Sequence, residues 1–278
     1  MLRIGALLNA STATVRFHAI LAASDLQHRL PGFLVHPLRL SPEAQCLHAG
    51  LSKRAGGNGP SFLLKPLLPW ILPTSLRRII LLDSDVVPLR DIRHLHAEFS
   101  RFCGRLIGLV REQSLLYQRA LHLSRAYNGG VQLLDLDAMR RSRLYAHGLE
   151  RAAHAEDTSH RQGWQKAGFL GDQTLYSFLA ADAPGKIVHD LPCEWNRQLG
   201  SDFSQSNRHA DTPDLTLSPD APRFGFTNGH VHSCPRRCGL LHANYPSLKC
   251  IARWMHANPS CGTRERRPMH NTLLRLVI

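Results

Sequence analysis

The chain has 278 residues, 43% of them hydrophobic, and a formal net charge of +13. This is enough apolar sequence for one large α/β domain or two small ones, and it excludes a disordered chain. No apolar run reaches the roughly 18 residues of a membrane span, and no signal-peptide pattern is present. The basic residues form short clusters without interleaved aromatic residues. They therefore favour a solvated surface or an anionic substrate over nucleic acid as a partner.

Strand and helix patterns alternate along the chain. In order, the predicted elements are a strand (Ala13–Ala23), a short helix (Ser61–Pro73), a strand (Arg77–Leu82), strands around Leu106 and Leu133, a helix over 137–155 and a surface loop over about 199–223. The four consecutive aliphatic residues at 79–82 indicate a strand that is buried on both faces. The alternation predicts an open, mostly parallel sheet with helices on its faces.

Two carboxylates stand where the strand Arg77–Leu82 ends. Asp83 and Asp85 flank Ser84, and alternate side chains of an extended chain share one face. The two carboxylates can therefore converge on a single hard cation, which would also remove their mutual repulsion. The alternative is a solvated turn, because Asp and Ser are common turn residues.

Cysteine and histidine residues cluster toward the C-terminus. The cluster contains Cys234, Cys238, Cys250 and Cys261 together with His230, His232 and His242. A zinc site and disulfides in an oxidising compartment are both compatible with this cluster. The spacing of Cys234 and Cys238 suits zinc, but no second pair at a standard spacing completes a tetrahedral ligand set.

Six blocks of sequence together resemble one known family. They are "LLKPLLPWILP", "RIILLDSDVVPLRDI", "YNGGVQLLDL", "GDQTLYSFL", "LPCEWNRQL" and "LLHANY". In order and spacing they resemble glycosyltransferase family 8, and most of all its animal xyloside xylosyltransferases. The resemblance implies a GT-A type α/β catalytic domain over residues 1–250, followed by an unassigned basic tail over 251–278. The implied reaction moves a sugar, xylose by the nearest resemblance, from a UDP-sugar to a sugar hydroxyl of a glycan or glycoprotein, with retention of configuration.

The resemblance also assigns residues to the metal and the donor. Asp83 and Asp85 match the family's DxD motif, with Ser84 between them, and His242 matches a third ligand of the Mn²⁺ ion that bridges the UDP phosphates. Three further residues are implied at the UDP-sugar: Lys65 near the donor, Asn128 near the donor sugar, and Lys249 as a substitute for the family's diphosphate lysine. In the Asn128 block, Gly129 replaces the family's Ser or Thr, so a hydroxyl hydrogen bond is lost there.

Two further pairs match the family's catalytic and acceptor blocks. Asp172 and Gln173 match residues beside the transferred sugar, although "GDQ" also suits the start of a helix, with Asp172 as a cap. Trp195 and Asn196 match an acceptor-side block; a Trp residue is more often part of a core, but next to a sugar it can also stack on the C–H face of the ring.

The resemblance begins after the position of the family's first strand. The chain is therefore expected to lack that strand and to leave "TVRFHAIL" as an open sheet edge. The family resemblance also implies the lumen of the endoplasmic reticulum or Golgi as the location of a full-length form. Two other functions stay open: an inactive carbohydrate-binding remnant of the same fold, and a zinc- or nucleic-acid-binding protein.

Overall fold

A buried aliphatic strand, β4 (Arg78–Leu82), lies at the centre of the fold. Ile79 and Leu81 belong to one apolar cluster, and Ile80 and Leu82 belong to a second. All four side chains are at most 5% exposed. Because successive strand residues point to opposite faces, both faces of the sheet are covered at this strand. The prediction of a strand that is buried on both faces is confirmed.

The computed structural model describes the strands at 6–10, 15–21 and 33–37, and residues 40–56, 59–83, 85–112, 123, 125–155, 164–198, 234 and 238–242. Its helices are α1 (Pro42–Ser52), α2 (Leu68–Ile71), α3 (Ile92–His96), α4 (Leu136–Arg141), α5 (Arg143–Ala153) and α6 (Asp172–Asp182). Short 3₁₀ segments span Pro60–Leu67, Ala97–Arg101, Trp164–Lys166 and Cys193–Trp195. The predicted loop over 199–223 and the predicted tail from 251 lie outside these residues. None of the described helices is long and apolar enough to cross a membrane.

The described strands form one large sheet and one small sheet. The large sheet has the order β3-β2-β1-β4-β7-β6-β8, in which the new members are β1 (Ala6–Ala10), β2 (Val15–Leu21), β3 (Phe33–Pro37), β6 (Ile107–Arg111), β7 (Tyr127–Asp135) and β8 (Val188–Asp190). The small sheet has the order β5-β10-β9, with β5 (Val86–Pro88), β9 (Arg197–Gln198) and β10 (Leu240–His242). With helices packed on these sheets, the α/β class is confirmed.

The prediction of a mostly parallel sheet is wrong for the described strands. The strands β2 and β3 pair in parallel, as do β6 and β8. In contrast, β1 is antiparallel to β2 and β4, and β7 is antiparallel to β4 and β6. Parallel neighbours need a crossover of roughly a dozen residues or more. The strand β1 ends at Ala10 and β2 begins at Val15, which is too close for such a crossover. The predicted alternation of strands and helices therefore does not hold at this end of the sheet.

The expected open edge at "TVRFHAIL" is also wrong. The strand β2 has β1 on one side and β3 on the other. Its backbone N–H and C=O groups therefore face strand neighbours in both directions, which is the arrangement that protects a strand from pairing with other chains. On its other side, β1 pairs with β4.

The helix predicted over 137–155 is divided into two helices. Its first part, α4, ends at Arg141, and α5 begins at Arg143. Ser142 stands between them in an extended conformation, and its hydroxyl accepts a hydrogen bond from the backbone N–H of Tyr145. Serine at this position satisfies an otherwise unpaired helix N–H, so the side chain ends one helix and starts the next.

The small sheet brings distant parts of the chain beside β4. β10 pairs antiparallel with β5, so that His242 lies opposite Val86, and it pairs in parallel with β9. A disulfide bond between Cys193 and Cys234, with Cα atoms 5.8 Å apart, links the segment before β9 to the segment before β10. The covalent link and the strand pairing together fix His242 near the end of β4.

We expect the Cys193–Cys234 disulfide to contribute measurably to stability. It closes a loop with a sequence separation of 41 residues, for which the loop-entropy relation gives about 4 kcal/mol. Replacing both cysteines with serine should lower the free energy of unfolding by up to about that amount, as measured by guanidinium denaturation. Cys46→Ser, which changes an exposed thiol on α1, is the matched control and should leave the midpoint unchanged. Equal midpoints for the parent and the double variant would contradict this expectation.

Candidate active site

Two carboxylates and one imidazole converge beyond the end of β4. One ligand atom from each of Asp83, Asp85 and His242 lies within 4.8 Å of the others. The imidazole Nε2 of His242 is 3.5 Å from Oδ1 of Asp85, and His242 is only 4% exposed. The structure thus brings together the three predicted metal ligands, two of which come from a strand end and one from a strand about 160 residues later in the chain.

A lysine joins this group to a buried carboxylate. Nζ of Lys65, on the 3₁₀ segment Pro60–Leu67, lies 2.7 Å from Oδ1 of Asp83 and 3.5 Å from Oδ2 of Asp172. Asp172 is the first residue of α6 and is 2% exposed. Its negative charge at the helix N-terminus is favourable with respect to the helix dipole. Lys65, Asp83 and Asp172, all predicted from the sequence, therefore form one charged cluster.

The pKa values of the cluster follow from burial and charge. Burial raises the pKa of Asp172 to about 6, the ammonium of Lys65 opposes this rise, and the charge of Asp83 adds to it. Burial by itself would lower the pKa of Lys65, but Asp172 and Asp83 together more than offset it, and the pKa of Lys65 is raised. Lys65 is therefore a permanent cation next to the carboxylates at neutral pH, which suits a position beside phosphate groups.

The alternative role of Asp172 as a helix cap is not what the structure shows. The N-cap residue of α6 is Gly171, with φ of 72° and no side-chain capping hydrogen bond. The carboxylate of Asp172 instead accepts a hydrogen bond from the side-chain amide of Gln132 and lies near Lys65. The side chain of Gln173 accepts a hydrogen bond of 3.2 Å from the backbone N–H of Gly129.

Two glycines on β7 make room for the site. A Cβ atom on Gly130 would overlap the imidazole ring of His242, and one on Gly129 would lie 2.9 Å from Oδ2 of Asp172. The absence of a side chain at Gly129 therefore permits the close approach of α6 to this strand. The backbone of β7 is the surface on which His242 and Asp172 both pack.

Asn128 and Asn196 lie side by side behind the imidazole. The Nδ2 group of Asn196 donates a hydrogen bond of 2.8 Å to Oδ1 of Asn128, and Oδ1 of Asn196 lies 3.1 Å from Nδ1 of His242. Asn128 is 3% exposed and Asn196 is 1% exposed. The two residues predicted to contact the donor sugar and the acceptor are therefore buried next to the metal-ligand candidate.

Trp195, the other predicted acceptor residue, is also buried. Its ring packs against Gly239 and lies 5.2 Å from the guanidinium of Arg90. It belongs to the apolar cluster that contains Ile80 and Leu82. Acceptor contact by Trp195 stays a prediction, as do the roles of Ser84 and Lys249, which lie outside the residues that the structure describes.

Sequence reasoning missed two buried polar residues. Gln132, on β7, is fully buried and donates both to the Gly129 carbonyl, at 2.7 Å, and to Asp172. Glu112, at the end of β6, is 4% exposed and accepts a hydrogen bond of 3.0 Å from the side chain of Asn128. A polar residue inside an apolar strand was the available signal for Gln132, since such a residue requires a buried partner. No comparable signal marked Glu112.

One of the cysteines proposed as a zinc ligand in the alternative interpretation is part of a disulfide bond in this structure. Cys234 is joined to Cys193, so it cannot ligate a metal as a thiolate. Sγ of Cys238 lies 3.4 Å from the Leu240 carbonyl. Because His242 instead lies with Asp83 and Asp85, the geometry favours an oxygen-rich cation site over a Cys/His zinc site.

Comparison with known proteins finds similar glycosyltransferases. Xyloside xylosyltransferase 1 of Mus musculus is 34% identical over 158 residues, which are 50% of this chain and 39% of that protein. Xylosyl- and glucuronyltransferase LARGE2 of Mus musculus is 38% identical over 166 residues, 56% of this chain and 23% of that protein. The chain thus spans well under half the length of these relatives. No protein-family model matches it.

A solved structure supports the same relationship. The crystal structure of mouse xyloside xylosyltransferase 1 in its apo form aligns with a TM-score of 0.55 and 25% identity, and the alignment covers 77% of this chain and 75% of that one. The described strands and helices therefore correspond to a GT-A type fold. The chain is homologous to xyloside xylosyltransferase 1 and the LARGE enzymes, and it shares the α/β fold of GT-A glycosyltransferases.

Proposed function

We propose that the chain is the catalytic part of a retaining, UDP-sugar-dependent glycosyltransferase of family 8 that uses Mn²⁺. The observation that carries the proposal is the convergence of Asp83, Asp85 and His242 at the end of β4, next to the ion pair of Lys65 with the buried Asp172. The homologous enzymes transfer xylose or glucuronic acid according to their names. We therefore propose UDP-xylose as the donor and a sugar hydroxyl of a glycan or glycoprotein as the acceptor.

The ligand set fits a hard divalent cation. Two carboxylates supply oxygen ligands, and a neutral imidazole supplies one nitrogen, a combination that Mn²⁺ accepts. The close approach of His242 to Gly130, where a Cβ atom would overlap the ring, indicates that the imidazole position is built into the fold. When bound, the cation would stabilise the negative charge that develops on the departing UDP.

The remaining residues suit roles at the sugar and the diphosphate. Lys65 presents a permanent positive charge next to Asp83 and would attract the diphosphate of the donor. Asp172 and Gln173, at the N-terminus of α6, would orient the sugar hydroxyls and lie near its reacting carbon. From the resemblance to family 8 we propose substitution from the front face: the acceptor oxygen bonds to the anomeric carbon as the bond from that carbon to the UDP phosphate breaks, and the leaving phosphate accepts the proton of the acceptor hydroxyl.

The disulfide fits the proposed location. Disulfides persist in the endoplasmic reticulum and in secreted proteins, whereas cytosolic reductants keep thiols reduced. The Cys193–Cys234 bond lies within a few residues of Asn196 in sequence and ties the small sheet together. We therefore propose that the full-length protein works in the lumen of the endoplasmic reticulum or Golgi.

Removing one metal ligand should eliminate metal-dependent donor binding without unfolding the protein. We expect Asp85→Asn to weaken Mn²⁺-dependent UDP binding by more than the roughly 10- to 100-fold that loss of an outer-shell partner causes. The reason is that a charged ligand is lost from a strand end and not from the core. Isothermal titration calorimetry with UDP, with and without Mn²⁺, measures the effect.

The matched control is Asp182→Asn. This change removes a carboxylate that pairs with Arg151 at 2.8 Å, at the far end of α6. The control should bind Mn²⁺ and UDP as the parent does. Unchanged binding by Asp85→Asn would show that the proposed metal site is wrong.

Replacing Asp172 should affect turnover more than nucleotide binding. UDP lacks the transferred sugar that this carboxylate is proposed to orient, so Asp172→Asn should retain UDP affinity within a few-fold. Its turnover of UDP-xylose should fall by about 100-fold or more, as for loss of one group that acts on the transition state. Initial rates with UDP-xylose and calorimetry with UDP separate the two effects. Equal losses of rate and UDP affinity would instead indicate a general structural role.

A further inference from the structure

We infer that a directional chain of buried side-chain amides, from Asn128 through Asn196, fixes the tautomer of His242 so that Nε2 presents a lone pair to the cation. Asn196 is then a positioning residue for the metal ligand. The role of these amides at a metal site rests on the proposed function, whereas the direction of their hydrogen bonds follows from the structure alone. The series of hydrogen bonds begins at the backbone N–H of Gly130, which can only donate, and ends at the imidazole of His242.

Asn128 sets the direction of these hydrogen bonds. The backbone N–H of Gly130 lies 2.9 Å from Oδ1 of Asn128, and a backbone N–H can only donate. The oxygen of the Asn128 amide must therefore be on this side. Its NH₂ group consequently faces Glu112, whose carboxyl oxygen accepts at 3.0 Å. Two independent neighbours thus agree on one orientation of the Asn128 amide.

The orientation passes from Asn128 to Asn196. The oxygen of Asn128 faces Asn196 at 2.8 Å, so Asn196 must present its NH₂ group there. The opposite end of the Asn196 amide is then its oxygen, which lies 3.1 Å from Nδ1 of His242. An oxygen cannot donate, so Nδ1 of His242 carries the proton and donates it to Asn196.

The consequence appears on the other side of the imidazole. A neutral imidazole with a proton on Nδ1 has its lone pair on Nε2. Nε2 is the atom that faces Asp85, at 3.5 Å, within the proposed ligand set. The ring is therefore prepared to ligate a cation without first exchanging its proton between the two nitrogens. Outer-shell partners of metal-bound histidines commonly have this role.

Burial of these side chains disfavours any other orientation of the amides and the other tautomer of His242. Glu112, Asn128, Asn196 and His242 are each at most 4% exposed. Water therefore has little access to satisfy a reversed amide or the wrong tautomer, either of which would place two donors or two oxygens against each other. Gly130 contributes twice, since its N–H orients Asn128 and its missing side chain leaves space for the ring of His242.

The first test needs no variant. A long-range ¹H–¹⁵N spectrum of the metal-free protein distinguishes the two neutral tautomers of His242 from each other and from the imidazolium. The signal of His242 is identified by its absence from the spectrum of His242→Gln. We expect the tautomer with the proton on Nδ1. A proton on Nε2, or an equal mixture of the two tautomers, would overturn the inference, whatever the activity of the protein.

The second test measures the effect on the cation. Asn196→Leu keeps approximately the same volume but removes the oxygen that accepts from His242. We expect Mn²⁺ affinity in the presence of UDP to fall by about 10- to 100-fold, as measured by the electron paramagnetic resonance signal of free Mn²⁺. Gln198→Leu is the matched control, because it removes another buried amide of the same segment, one that donates to the Arg111 carbonyl. The control should retain the parent affinity.

A double-mutant cycle separates positioning from general damage. In the His242→Ala background, Asn196→Leu should cause no further loss of Mn²⁺ affinity, because the residue it positions is absent. A loss as large as in the parent would show that Asn196 acts through the structure in general and would overturn the positioning role. If the parent itself binds no Mn²⁺ in the presence of UDP, the proposed function is wrong. The tautomer spectrum still tests the direction of the hydrogen bonds from Asn128 to His242.

Discussion

The close packing of side chains against the backbone of β7 at Gly129 and Gly130 is the constraint on which the site depends. His242 from β10 occupies the space over Gly130, and Asp172 from α6 lies near Gly129. A side chain at either glycine would displace one of these residues. Because β7 also pairs with β4, the same backbone places both residues beside Asp83. The ligand set and the charged cluster are therefore consequences of one strand that carries no side chain at two successive positions.

The positive charge of Lys65 helps to stabilise the buried carboxylate of Asp172. Asp172 is deeply buried, and its raised pKa reflects the cost of ionising it there. Lys65 offsets part of that cost by lying between Asp172 and Asp83. A buried ion pair of this kind contributes little net stability, because desolvation opposes attraction.

Much of the site was predictable because its residues occur in a local hydrophobic pattern and in sequence blocks of a recognisable order. The aliphatic run before Asp83 predicted a strand that is buried on both faces, and the strand end placed two carboxylates together. The resemblance of six blocks then associated Lys65, Asp172 and His242 with the same site, and the structure brings them together. The division of the helix over 137–155 was missed because Ser142 fits a helix pattern until its capping hydrogen bond is seen.

The sequence by itself determined the α/β class, the buried central strand and the residue types of the candidate metal site, because these follow from local hydrophobic pattern and motif order. Only the tertiary structure decided the antiparallel pairings of β1 and β7 and the link between Cys193 and Cys234. It also decided that Asn196 faces His242 and that Glu112 faces Asn128. The physical reason is that strand direction, disulfide pairing and buried hydrogen bonds depend on which distant segments meet, and no local pattern of residues specifies that.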